Sequence, residues 1–259
     1  QSPDIAMGVD AGGAGDQGMM YGYATDETPE LLPIPYVLAT TFLCELKHFE
    51  DKRLKADAKA QVSFDYDSGK ITTFLCSVQH TADCEPNDFR NEIGELMKKV
   101  AESQGYNMDF EVLINPTGRF VEGGSFADCG VTGRKLACDT YGGVGRLGGG
   151  ALSGKDPSKV DRSGAYMARS IAKDIVRAKY CKKCEVQIAY AIGVAKPVSV
   201  YVETFGTESQ SLDFIENYVM ENYDLTPRGI IDRLDLLNTN YNRVSSYGHF
   251  MDSEMPWER

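Results

Sequence analysis

In the stretch Gly142–Arg162, GGVGRLGGGALSGKDPSKVDR, seven of the thirteen residues up to Gly154 are glycine, and Lys155, Lys159 and Arg162 follow them. Glycine has no side chain to bury and loses the most backbone entropy on ordering, so such a run is shaped for something to approach. Asp156 and Pro157 read as the N-cap and first residue of a helix, which would aim unpaired N–H groups and the positive dipole end at an anion. Lys159 and Arg162 lie four and seven residues beyond Lys155, so at about 3.6 residues per turn the three cations share one face. Asp161 points off that face and is free to hold a metal ion. Gly149–Lys155 fits G-x-x-x-x-G-K, but Asp156 stands where a Walker A loop needs the Ser or Thr that ligates magnesium. The spacing describes a phosphate loop of another kind; the bland alternative is a flexible linker ahead of a solvated helix.

The charge distribution points the same way. The 259-residue chain has 27 Lys+Arg against 38 Asp+Glu, a formal net charge of −11, which argues against nucleic acid or an anionic membrane as principal partner. Between Arg134 and Arg162 there are six cationic residues and three carboxylates, leaving −14 for the rest of the chain. Positive charge gathered around a glycine loop suits a polyanionic small molecule. Seven cysteines, with no leader or long apolar run, favour reduced thiols and a cytoplasmic location. Cys181 and Cys184 form the one close pair; with no second pair and no histidine nearby they read as a surface or helix-end CxxC without function. His48, His80 and His249 are scattered, and no nucleophile with a histidine partner can be assembled from them. No segment approaches the length of a membrane span.

The elements that must position these groups follow from periodicity. Residues 1–18, small, polar and glycine-rich, read as a mobile loop ending in a turn at Gly13–Gly18. Pro29–Arg53 is an amphipathic helix after a proline-broken start, Lys59–Tyr66 and Lys70–His80 a hairpin, Asn87–Gln104 a helix and Phe110–Asn115 a strand before the turn NPTGRF. Beyond a short strand at Lys135–Asp139 and the glycine loop come a helix from Pro157 to about Lys179, strands at Glu185–Ile192 and Val198–Phe205, and helices at Leu212–Tyr223 and Pro227–Leu237. Trp257, the single tryptophan, lies near the end of the sequence, so that tail docks. Helix, hairpin and helix occur twice, which predicts an α+β chain of two similar sheet-plus-helices units.

The segments GAGDQG (13–18), DAK (57–59), NPTGRF (115–120), TGRK (132–135), DTYGG (139–143), GGGALSGKDPSKVDRSGAYMAR (148–169) and YAIGVAKP (190–197), in this order and spacing, resemble the methionine adenosyltransferases (S-adenosylmethionine synthetases). The resemblance covers that family's middle domain, at 13–121, and C-terminal domain, at 122–259. QSPDI resembles part of the family's mobile active-site loop, assigned to 1–12, so the N-terminal domain has no counterpart in this sequence. Leu147 stands where the family usually has histidine, and Leu152 where it has phenylalanine, changes that bear on how the loop packs.

The resemblance implies a three-domain α+β protein when complete, a homodimer or homotetramer with active sites between subunits, and two magnesium ions and a potassium ion per site. ATP, L-methionine and water would give S-adenosylmethionine, phosphate and diphosphate. Lys59, Arg134 and Lys155 would be the catalytic cations. ATP would be bound by Asp57, Lys59, Arg119, Phe120, Asp128, Arg134, Lys135, Ala151 and Lys155, methionine by Gln1, Asp16, Asp128 and Lys159, and a metal by Asp161. The residues suit this chemistry on their own account: a neutral thioether needs no base to attack C5′, so the protein must align the reactants and stabilise charge gathering on the triphosphate. A chain with a nucleotide site but no N-terminal domain is also compatible with a non-catalytic binding or regulatory subunit. A P-loop kinase is disfavoured by Asp156 and by the lack of a strand immediately before the loop.

Overall fold

A computed structural model describes residues 2–259; the expectation for Gln1 lies outside the described residues. In chain order the elements are α1 (Pro3–Asp10), β1 (Gly18–Thr25), α2 (Ile34–His48), β2 (Leu54–Asp65), β3 (Lys70–His80), α3 (Pro86–Ser103), β4 (Glu111–Ile114), α4 (Leu136–Asp139), α5 (Val160–Arg177), β5 (Lys183–Tyr190), β6 (Ser199–Glu203), α6 (Leu212–Asn222) and α7 (Pro227–Arg233). The architecture is α+β, in two compact units: Ile34–Val131, and the residues up to Pro33 together with Thr132–Arg259.

In the unit Ile34–Val131, β2 pairs antiparallel with β3 and β3 pairs parallel with β4. Two amphipathic helices cover the sheet, and Phe42, Phe74, Phe89, Ile93 and Met97 form its core, with Phe42 and Phe74 in an edge contact at 5.2 Å. The turn after β4 is held by Asn115, whose backbone is left-handed at φ 45. Its amide makes two bonds to the β3 backbone, Oδ1 accepting from Val78 N at 2.8 Å and Nδ2 donating to Val78 O at 2.9 Å. One side chain thus continues the sheet where the strand has ended and aims NPTGRF outward.

The other unit is built on β1, β5 and β6, antiparallel in that order. Strand β1 was not legible in the periodicity. Its residues 21–24 alternate aromatic and small side chains, and Gly22 lies on α5: a Cβ there would stand 1.9 Å from the Ala168 carbonyl carbon. Because β1 pairs with β5, this unit joins two stretches that are not contiguous in sequence. Helix α5 is buried on nearly every side, even at Arg162, Arg169 and Lys173. Arg169 donates to both Glu258 oxygens and to the carbonyls of Tyr23, Glu30 and Leu31, and Lys173 donates to Glu258 Oε2 at 2.7 Å. Trp257 stacks on Tyr166 at 3.5 Å between ring centroids, so the tail docks as expected.

Three local expectations are corrected. Residues 3–10, read as part of a loop, form α1, because Ser2 accepts from Ile5 N at 3.3 Å and Pro3 occupies the first turn. The stretch Lys135–Asp139 is the short helix α4, not a strand, its Thr140 hydroxyl bonding Leu136 O. Cys181 and Cys184 are buried at the start of β5 rather than on the surface. No helix among the described residues is long and apolar enough to cross a membrane.

Candidate polyphosphate site

Three sequence-distant segments meet at the glycine loop, all within the unit that contains α5. GAGDQG packs on the residues before α5: Gly15 N donates to Ser158 O at 3.2 Å, and Lys159 Nζ donates to Gly15 O at 2.9 Å. A side chain at Gly15 would strike Ser158 O at 2.7 Å, so glycine is what permits this approach. TGRK lies along the loop on the other side: a Cβ at Gly133 would meet the Ala151 Cβ at 2.5 Å. Gly133 thus lies against Ala151, and Arg134 and Lys135, which follow it, are exposed. The start of the loop is pinned by Glu185 of β5, which accepts from Arg146 N at 2.8 Å and from Arg146 Nη1 at 2.9 Å.

At the centre, Lys155 Nζ donates to Asp161 Oδ2 at 2.5 Å. Asp161 is therefore not a free carboxylate pointing away from the cations. Its Oδ1 faces the loop so closely that a Cβ at Gly150 would lie 2.1 Å from it. Burial lifts the Asp161 carboxyl above its ordinary range, the Lys155 ammonium opposes that rise, and Asp16 adds to it. The two carboxylates thus share one neighbourhood with one ammonium.

The helix begins at Val160, with Lys159 at its N-cap, rather than at Pro157. Asp156 instead accepts from Ser158 N at 2.8 Å in a local turn. The break in helical phase between Lys155 and Val160 changes the fate of Arg162. Its guanidinium is buried, donates to Lys155 O and Tyr166 OH, and stacks 3.8 Å from the Tyr241 ring centroid. It supports the loop from behind and does not join the cationic face.

Sequence reasoning also missed a histidine. His249, buried at 1% exposure, meets Ser153 Oγ through Nε2 at 3.1 Å and Tyr166 OH through Nδ1 at 2.7 Å. The contact spans 96 residues of sequence, and nothing in the local pattern around either residue signals it. Leu152 is buried beside a cavity of about 30 Å³ lined also by Met20, Tyr141 and Asp161, whereas Leu147 on its rim is exposed.

The remaining expected site residues belong to the unit Ile34–Val131. Lys59 is an exposed residue of β2 opposite Ser77. Asp57 accepts from Gly124 N at 2.9 Å, which ties down the segment carrying Asp128. Asp128, exposed, accepts from Gly130 N at 3.1 Å. Arg119 is exposed, while Phe120 is half-buried, its N–H donating to His80 Nε2 at 3.1 Å and its carbonyl accepting from His80 N.

Two family models match the chain. Residues 11–120 match the central domain of S-adenosylmethionine synthetase, and residues 122–259 match its C-terminal domain. The matches account for nearly all of the sequence, and their boundary falls between the NPTGRF turn and the segment that leads to the glycine loop. The chain belongs to the S-adenosylmethionine synthetase family, of which it carries the central and C-terminal domains.

Proposed function

We propose that this chain serves methionine adenosyltransferase chemistry, forming S-adenosylmethionine from ATP and L-methionine with release of phosphate and diphosphate. It does so through a middle segment 13–121 and a C-terminal segment 122–259. The observation that carries the reading is the Lys155–Asp161 pair seated in a glycine loop against which TGRK and GAGDQG are packed.

Attack of sulfur on C5′ transfers no proton, so the work of the protein is alignment and charge stabilisation. Lys155, Arg134, Lys135 and Lys59 supply the positive charge for the triphosphate. Ala151 offers a small residue where backbone must come close to phosphate. Arg119 and Phe120 take the adenine side. Asp16, Asp128 and Lys159, with Gln1, serve methionine and the adenosine near it. Carboxylates near the sulfur match the cationic sulfonium product.

The donor set fits magnesium. Asp161 and Asp16 are hard carboxylates in one neighbourhood, and among the described residues no third metal-ligating side chain joins them. Magnesium is commonly held by one or two carboxylates and completes its shell with water and substrate phosphate. When bound it supplies positive charge to the leaving polyphosphate. Potassium is implied by the family resemblance alone, as is the homodimer or homotetramer, whereas the cytoplasmic setting rests on the seven cysteines.

Calorimetric titration of the 259-residue chain with magnesium tripolyphosphate tests the reading. Saturable binding that ATP competes away and that Lys155→Ala abolishes is expected. Absence of binding in the wild-type chain would overturn it.

A further inference from the structure

The Ser153–His249 contact has a direction, set by the groups behind it. A guanidinium can only donate, so Arg162 Nε gives its proton to the Tyr166 oxygen at 3.0 Å. Tyr166 is fully buried, and its own phenol proton needs an acceptor. His249 Nδ1, at 2.7 Å, is that acceptor. The imidazole proton then sits on Nε2 and is donated to Ser153 Oγ at 3.1 Å. The opposite tautomer would point two donors at the Tyr166 oxygen and strand a phenol proton in the core, a desolvation cost that the observed order avoids. Burial, aided by the nearby Arg162 charge, lowers the His249 pKa to about 4, so the ring stays neutral at physiological pH and carries one proton.

Ser153 Oγ therefore receives a hydrogen bond from inside the fold and must give its own proton elsewhere. Among the described residues it has no other partner. Ser153 is half-exposed, lies between the buried Leu152 and the exposed Gly154, and is two residues from Lys155. A hydroxyl whose lone pair is engaged by a buried donor, and whose own proton is left without a partner, is suited to an oxyanion.

We propose that Ser153 is a further ligand-binding residue, donating its hydroxyl proton to a phosphate oxygen in the glycine loop, with Tyr166 and His249 as positioning residues that hold it in the donor orientation. The proposal rests on the polyphosphate reading above. It also divides the labour differently from a Walker A loop, where the hydroxyl faces the metal: here the carboxylates suit the metal and the hydroxyl addresses phosphate.

Two measurements test it on the whole chain. Long-range ¹⁵N–¹H spectra of ¹⁵N-histidine-labelled protein, with His249 assigned from His249→Asn, should show the Nε2–H tautomer at neutral pH; the Nδ1–H tautomer would refute the donor chain whatever the ligand. In titrations with magnesium tripolyphosphate, Ser153→Ala should bind about tenfold to a hundredfold more weakly, the range for a hydrogen bond to a charged group. Ser153→Thr should bind within a few-fold of wild type, and Ser153→Cys, similar in shape but a weaker donor, should fall between, which keeps the test valid if the alanine variant folds poorly. If the wild type binds, Lys155→Ala does not, and both Ser153→Ala and Ser153→Cys bind like wild type, the proposal fails while the polyphosphate reading stands. If the wild type does not bind tripolyphosphate, both fail.

Discussion

Lys155 Nζ and Asp161 Oδ2 are 2.5 Å apart, so the cation assigned to phosphate and the carboxylate assigned to metal neutralise one another. The pair keeps each partner from being a lone, partly buried charge. A ligand that engages either partner changes the charge felt by the other, so the two ligands are coupled through the pair. Magnesium and polyphosphate should therefore bind synergistically. In wild-type protein, magnesium should raise tripolyphosphate affinity by at least about tenfold, and in Asp161→Asn this enhancement should shrink to near unity, since the carboxylate linking the two ligands is gone. Equal enhancement in both proteins would show that Asp161 does not couple them.

Lys155→Ala should cost about 3–4 kcal/mol of transition-state stabilisation in an assembled synthetase, a loss of two to three orders of magnitude in turnover, with the fold intact. Lys155→Arg should rescue poorly, because a planar fork does not replace a point charge that is already seated on Asp161 within a tight loop. The check is kcat with thermal unfolding measured alongside.

Gly150→Ala separates site from scaffold. The new methyl would strike Asp161 Oδ1 at 2.1 Å and displace the carboxylate, whereas Gly22→Ala would strike the backbone of α5 at 1.9 Å. The first should lose polyphosphate binding with little change in melting temperature. The second should destabilise the chain by at least about 3 kcal/mol, since backbone cannot move aside as a side chain can.

Glu258→Ala should destabilise by about 3–5 kcal/mol, because it leaves Arg169 and Lys173 buried without their counter-ion. Urea unfolding would measure it, and a change under about 1 kcal/mol would mean that the tail is not a structural anchor.

His249 predicts how stability depends on pH. Its folded pKa is held near 4, below the ordinary 6.5, by burial and by Arg162. Between these values the unfolded chain binds more protons than the folded one, so stability rises with pH across that window and is lost as pH falls through it. The slope contributed is about 1.4 kcal/mol per pH unit. Subtracting the profile of His249→Gln from that of wild type should isolate this slope between pH 4 and 6.5.

Much was open to reading from sequence alone, because it depended on neighbours close in the chain. The hairpin β2–β3, helix α3 and the strands and helices after α5 follow from periodicity and turn residues, and the glycine loop with its lysines identified itself by composition. The start of α1 was missed, because the small residues around the Ser-Pro-Asp that caps it read as loop. Pairings across long separations were decided by tertiary structure. Strand β1 exists because β5 lies beside it and because Gly22 lets α5 come close. Arg162 turned inward because five residues of non-helical backbone precede Val160 and reset the phase that spacing had assumed. Asp161 lost its freedom to Lys155, six residues away, across that same non-helical stretch, and Ser153 found His249 through a contact that no local pattern encodes. Residue types and short-range spacing determined which chemistry this chain can hold. Which of those groups face one another was settled by packing, since a side chain's partner is chosen by the free energy of the whole folded arrangement and not by its distance along the chain.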